Sequence, residues 1–142
     1  MIVFIPTKNE EKHILRAIKS ARKLSNKIYV IDSQSNDATI DIANKENIQV
    51  LEAPKNISFA EKMNFVYQHK LFEGEYIFRH DADEIISSSD AKIILENIEK
   101  SNFKCFSLVR KLSFMGHKLN FGGIGMRSTR IAMANSIRYE KT

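Results

Sequence analysis

Residues 79–85 read RHDADEI, three acids within four positions directly behind the apolar run Tyr76, Ile77 and Phe78. Crowded carboxylates repel one another and resist desolvation, so they persist most easily with a cation or water among them. Asp81 and Asp83 are separated by one residue, and in an extended or turning backbone both side chains point the same way. Both can then face one hard divalent ion, Mg²⁺ or Mn²⁺, directly or through water. Such an ion takes one or two protein carboxylates and fills its remaining octahedral positions with water and substrate phosphates. On a nucleotide-binding rim it would neutralise the charge growing on a departing diphosphate. The plainer alternative is a solvated acidic loop, or Asp81 and Asp83 capping the next turn.

A second acid worth weighing is Asp32, at the end of KIYVID (27–32). As a charged acceptor it can take hydrogen bonds from the imide of a pyrimidine base or from a ribose hydroxyl. It can equally close an Asx turn in DSQSND. Asp37 is the better helix cap, because it stands immediately before the helical residues, and this leaves Asp32 freer for a ligand. PTKNEE (6–11) predicts a helix start, whose unpaired amides and partial positive charge suit an anion. Thr7 and Asn9 either cap that helix or, with Pro6, present main-chain groups to a base. Lys62 and Asn64 in FAEKMNF reach a phosphate or sugar, or lie on a solvated face. No pair among His13, His69, His80 and His117 has metal-ligand spacing, so zinc is not expected. GGIG (122–125) falls late, and no nucleophile elbow or phosphate-binding glycine loop accompanies it.

The elements that must position these residues alternate. IVFIP (2–6), KIYVID (27–32), IQVLEA (48–53) and EYIFR (75–79) read as strands. Between and behind them, four helical segments carry apolar stripes. They run through Ile14, Leu15, Ile18, Ala21 and Leu24; Ile40, Ile42 and Ala43; Phe59, Met63 and Val66; and Ile94 and Ile98, the last capped by Ser88 or Ser89. Four βα units predict an α/β fold, a mostly parallel sheet with helices on both faces. Ligands bind beyond the carboxyl ends of such strands, and two separate strands here deliver acids to that rim. After Phe103, FKCFSLVRK suggests a further strand, and GHKLNFGGIGMRS a basic loop or hairpin over the site.

The 142 residues suffice for one domain with a real core, and 43% hydrophobic with 27% charged residues indicates a globular chain. No apolar run reaches the roughly 20 residues of a membrane span, and MIVFIP is too short for a signal peptide, so a cytoplasmic address is expected. The single Cys105 excludes an internal disulfide and is expected to pack in the core with Phe103, Phe106 and Leu108. The net charge of +5 suits a polyanion partner, although lysines scattered over helical segments chiefly affect solubility.

Taken in order and at these intervals, IPTKNEE, IYVIDSQSNDAT and FRHDADEI resemble the nucleotide-binding half of family 2 glycosyltransferases with the GT-A (Rossmann-like) fold. The likeness is strongest to the bacterial branch that builds lipopolysaccharide core and other surface glycans, and covers roughly residues 1–110. It implies a nucleotide-diphospho-sugar donor, a saccharide or lipid-linked hydroxyl acceptor, an Mg²⁺ or Mn²⁺ ion and no nucleic acid partner. Pro6, Thr7 and Glu10 would line the first nucleotide loop and Asp32 would hold the base. Asp81 with Asp83 would form the D-x-D that meets the sugar, ribose and metal-bound diphosphate. Many members carry a second acid where this chain has Ser33. The family usually inverts the anomeric centre, with a base that takes the acceptor's proton; here Glu84 and His117 are the candidates. Residues 111–142 would begin an acceptor-side region, incomplete if the chain is truncated, and peripheral contact with the inner membrane face would suit a lipid-linked acceptor.

Overall fold

The computed structural model describes residues 1–114, 117–118 and 127–140, and for Phe114, His117 and Lys118 the backbone only. In chain order the elements are β1 (Ile2–Thr7), α1 (Ile14–Ala21), β2 (Ile28–Asp32), α2 (Thr39–Lys45), β3 (Gln49–Glu52) and α3 (Phe59–Tyr67). A short 3₁₀ turn (Lys70–Phe72) leads to β4 (Tyr76–Arg79), α4 (Ser88–Lys100), β5 (Cys105–Val109), β6 (Ser113–Phe114), β7 (His117–Lys118) and β8 (Arg127–Met133). Six strands form one sheet in the order β3-β2-β1-β4-β8-β5, and β6 pairs with β7 separately. The first four strands are parallel; β8 runs antiparallel to both β4 and β5. This is the α/β, mostly parallel, helix-flanked sheet that the alternation predicts.

Both faces of the sheet are covered, which explains why the central strands read as continuous apolar runs. On one face Val3, Ile5, Val30 and Phe78 pack against Ile14, Ala17 and Ile18 of α1, Ala43 of α2 and Ala91 and Ile94 of α4. On the other, Phe4, Ile31 and Ile77 meet Met63, Val66 and Tyr67 of α3 and Phe72. Each of the larger aliphatic and aromatic side chains contributes roughly 1.5–3 kcal/mol through burial, so the two layers hold the strand ends in register.

Several local expectations are corrected. Helix α1 begins only at Ile14, after turns that consume residues 11–13. Ser87 caps α4, accepting from the Asp90 amide, so the cap precedes Ser88 and Ser89. Phe59 is 56% exposed, because the first position of α3 projects past the sheet. Cys105 is exposed: in β5 the odd positions face outward while Phe106 and Leu108 turn to the core. The segment RSTRIAM is a strand within the main sheet, and GGIG lies outside the described residues. No helix among the described residues is long and apolar enough to cross a membrane.

Candidate active site

The strand order reverses at β1, which has β2 on one side and β4 on the other, and the crevice of an open α/β sheet forms at such a switch point. Pro6 helps to open it. Phe4 accepts from the His80 amide at 3.0 Å, so residues of the same parity face β4, and at Pro6 the absent N–H points where β4 has already ended. Thr7 faces the other way and accepts from the Ser33 amide at 2.9 Å. Asp32 pairs in register with Thr7, and Arg79 with Phe4. Asp32 and the Asp81 turn therefore leave the sheet at similar heights on strands two positions apart, about 10 Å by ordinary strand spacing.

Asp32 is 1% exposed and accepts three hydrogen bonds. Its Oδ1 takes the hydroxyls of Thr7 (2.7 Å) and Ser35 (2.6 Å), and its Oδ2 takes the Ser35 amide (2.7 Å). The Asx-type turn thus forms around Asp32 itself, with Gln34 at φ 61° inside it. A carboxylate offers about four lone-pair sites, so these three bonds leave one on Oδ2 unfilled. Asp37 stands one residue before the α2 N-cap, which is Ala38 rather than the expected Asp37, and takes the Thr39 amide at 3.0 Å. The amides expected to be free near the first loop are taken: Asn9 by Ser35, Glu10 by Thr39 and Glu11 by Asp37. The Glu10 carboxylate turns to His13 Nδ1 at 2.8 Å. Loops 7–11 and 32–39 consequently form one cross-linked wall. Replacing Asp32 with Ala strands three donors in this wall and is expected to cost about 2 kcal/mol by urea denaturation; a loss below about 0.5 kcal/mol would mean that the network carries no load.

Lys62, on the rim-facing side of α3, donates to Ser33 Oγ. Partial burial pulls its ammonium below the usual lysine range, while Asp32 opposes that shift. One turn back, Phe59 has the Arg79 guanidinium 5.3 Å from its ring centre and the Tyr139 ring at its edge. Asn64 clamps the tail by donating to Tyr139 O and accepting from Tyr139 N, both at 2.8 Å.

The acidic turn contains more arginine than its sequence neighbourhood suggests. Asp81 is held from both sides, Oδ1 lying 3.4 Å from Arg79 Nε and Oδ2 accepting from an Arg130 terminal nitrogen at 2.8 Å. Glu84 Oε1 accepts from Arg130 at 2.6 Å, and Arg110 lies 3.4 Å away. Glu84 Oε2 accepts from the Asp81 amide at 3.2 Å. Burial raises the Glu84 carboxyl pKa against the opposing pull of Arg130. Asp83 is exposed and makes no hydrogen bond or ion pair among the described residues. His80 is wholly buried, and neither ring nitrogen has a hydrogen-bond partner among the described residues.

Sequence reasoning missed Arg130 and Arg110. The signal for Arg130 was the apolar run Ile131, Ala132 and Met133 that ends RSTRIAM, obscured by the cation directly before it. His117 lies in β7, and its side chain is outside the described residues.

A divalent ion that needs one protein carboxylate fits Asp83. Asp81 can meet the same ion only through water while guanidinia flank both its oxygens. No group of three or more His, Cys, Asp or Glu side chains suited to a metal occurs among the described residues. A shallow cavity of about 400 Å³ lined by Lys23, Ser88, Ala91, Leu95 and Glu96 includes none of these site residues.

Known proteins resemble the chain in sequence or in fold. An uncharacterised glycosyltransferase of Rickettsia conorii is 33% identical over 84 residues, 59% of this chain and 29% of that protein. One of Rickettsia typhi is 35% identical over 89 residues, 59% of this chain and 28% of the other. The chain thus spans less than a third of the length of the curated relatives it matches. Glucosyl-3-phosphoglycerate synthase from Mycobacterium tuberculosis, solved in complex with Mn²⁺ and UDP-glucose, superposes with a TM-score of 0.50 at 24% identity, covering 58% of this chain and 33% of that one. That likeness is one of fold, the GT-A, Rossmann-like sheet. Residues 2–141 match the family model for Glycosyl transferase family 2, and over that span, nearly its whole length, the chain belongs to this family.

Proposed function

We propose that the chain carries the donor side of a sugar transfer from a nucleotide diphosphate to a hydroxyl of a surface-glycan acceptor. The observation that carries this reading is the pair of acidic loops flanking β1 at the switch point, one holding Asp32 and the other Asp81 and Asp83. Asp32 meets the base through its remaining lone pair, with Pro6, Thr7 and Glu10 shaping the wall beside it. Asp83 takes the metal, with Asp81 behind it, and Lys62 and Arg79 add positive charge for the diphosphate. When bound, Mg²⁺ or Mn²⁺ neutralises charge on the leaving diphosphate. The residues that would touch the donor fall within residues 1–110, with an acceptor side beginning near residue 111. The lipopolysaccharide-core branch, an inverting outcome, and a cytoplasmic site that touches the inner membrane face through the basic surface all belong to this proposal.

A second reading, a donor-binding module without transfer, is favoured by the engagement of Glu84. A carboxylate tied to Arg130 and flanked by Arg110 is a counter-ion, poorly placed to accept a proton from an acceptor hydroxyl.

Calorimetric titration with UDP and UDP-glucose, with and without Mn²⁺, tests the common part. Binding that requires Mn²⁺, with a Kd on the micromolar scale, about −8 kcal/mol, is expected. An absence of heat at millimolar nucleotide would overturn the donor site. Transfer to a saccharide acceptor, measured next, separates an enzyme from a binding module.

A further inference from the structure

Arg130 has no role in the donor-binding scheme as set out above, yet it is the largest fully buried side chain described in the molecule, 1% exposed. It comes from β8, 49 residues beyond Asp81 in the chain. A guanidinium is planar, always charged and strongly penalised when buried without partners. Here Nε donates to Ser128 Oγ at 3.1 Å, one terminal nitrogen to Asp81 Oδ2 at 2.8 Å and the other to Glu84 Oε1 at 2.6 Å. The fork therefore joins two carboxylates of the acidic turn to β8, the strand that pairs with β4.

Formal charges sharpen the point. Asp81, Asp83 and Glu84 supply three negative charges, and Arg79, Arg110 and Arg130 three positive ones, so the cluster sums to zero. Within it Asp81 and Glu84 are engaged, and Asp83 stays exposed. We infer that Arg130 is a positioning residue for the donor site: it clamps Asp81 and Glu84 from beneath, so that Asp83 is the carboxylate presented to an incoming cation and diphosphate. The functional half of this inference rests on the donor-binding reading, whereas the clamping half stands on geometry alone. Glu84 then serves the site as the counter-ion that keeps Arg130 in place. A lysine at position 130 would keep the charge and lose the planar fork that fixes both acids together.

The test uses the full chain with Arg130→Lys, and Arg130→Met combined with Glu84→Gln to relieve the charge left by removing the guanidinium. Amide hydrogen exchange is measured alongside calorimetric titration with UDP and Mn²⁺. In Arg130→Lys, exchange at residues 81–86 should accelerate at least tenfold while amides of β1 and β2 keep their wild-type rates, and UDP affinity in Mn²⁺ should fall at least tenfold. The double variant should recover thermal stability without recovering affinity, which separates positioning from a merely structural ion pair. Uniform acceleration across the sheet, or wild-type exchange at 81–86, overturns the clamp. Wild-type UDP affinity in Arg130→Lys overturns its link to the donor. Should the unmodified chain bind no UDP, the donor reading fails, and the exchange data still decide whether Arg130 clamps the turn.

Discussion

Urea denaturation of the chain is expected to show stability falling by about 3 kcal/mol as pH drops from about 6.5 to about 4, with His80 as the cause. The residue is fully buried, and burial lowers its pKa from 6.5 to about 4. Asp81 and Asp83 oppose that shift and Arg130 adds to it. Glu84 Oε2 is 3.9 Å from Nδ1, too distant for a hydrogen bond, and with a neutral imidazole the contact is not an ion pair at pH 7. In this window the unfolded chain binds a proton that the folded chain refuses, so stability is complete above 6.5, is lost progressively as pH falls towards the folded value and levels off below it. The gap between 6.5 and about 4, at about 1.36 kcal/mol for each step of one in pH, gives the quoted magnitude. His80→Leu keeps an apolar side chain of similar size in the cavity and should flatten this part of the curve. Glu84, whose raised pKa works in the opposite direction, is present in both proteins. Parallel curves for wild type and His80→Leu would refute the assignment.

Asp83→Asn should abolish metal-dependent donor binding while leaving the fold untouched. The side chain is exposed and holds no hydrogen bond or ion pair among the described residues, so the melting temperature should move by no more than about 1 °C. An amide in place of the carboxylate removes the charge that a hard cation requires. A loss of at least about a hundredfold in UDP affinity with Mn²⁺ present, about 2.7 kcal/mol, is expected, with little change when metal is omitted. Unchanged affinity would remove the ion from the scheme. The same substitution at Asp81 is a less clean experiment, since it also disturbs Arg79 and Arg130.

What could be read from the chain beforehand was what depends on near neighbours. The four βα units are announced by short periodic runs with breakers between them, and Met63, Val66 and Ile94 fall on the buried sides that a 3.6-residue repeat assigns. The capping box joining Ser58 and Glu61 is equally local. Long-range pairings escaped. An arginine at the centre of β8 looks like a reason against a buried strand until its partners, 46 and 49 residues earlier, are known. Asp32 looked freer for a ligand because Asp37 stood nearer the helix, yet Ser35, three residues on, supplies two of its three bonds and only the third comes from Thr7, 25 residues back. Cys105 was misjudged through parity: Phe103 shares its outward side and is 72% exposed, whereas Phe106 and Leu108 face inward.

The position of β8 also bears on how the molecule assembles during synthesis. Strands β4 and β5 are both made before the segment that separates them, so β4 cannot acquire its outer neighbour until residues 127–133 have left the ribosome. For that interval, several seconds at about 5–20 residues per second, the nascent sheet ends in an unzipped edge, the kind of surface that recruits stray strands. The acids of the fourth loop wait equally long for their guanidinium, so a ribosome paused in this region would hold a partly folded layer whose binding loop has yet to set.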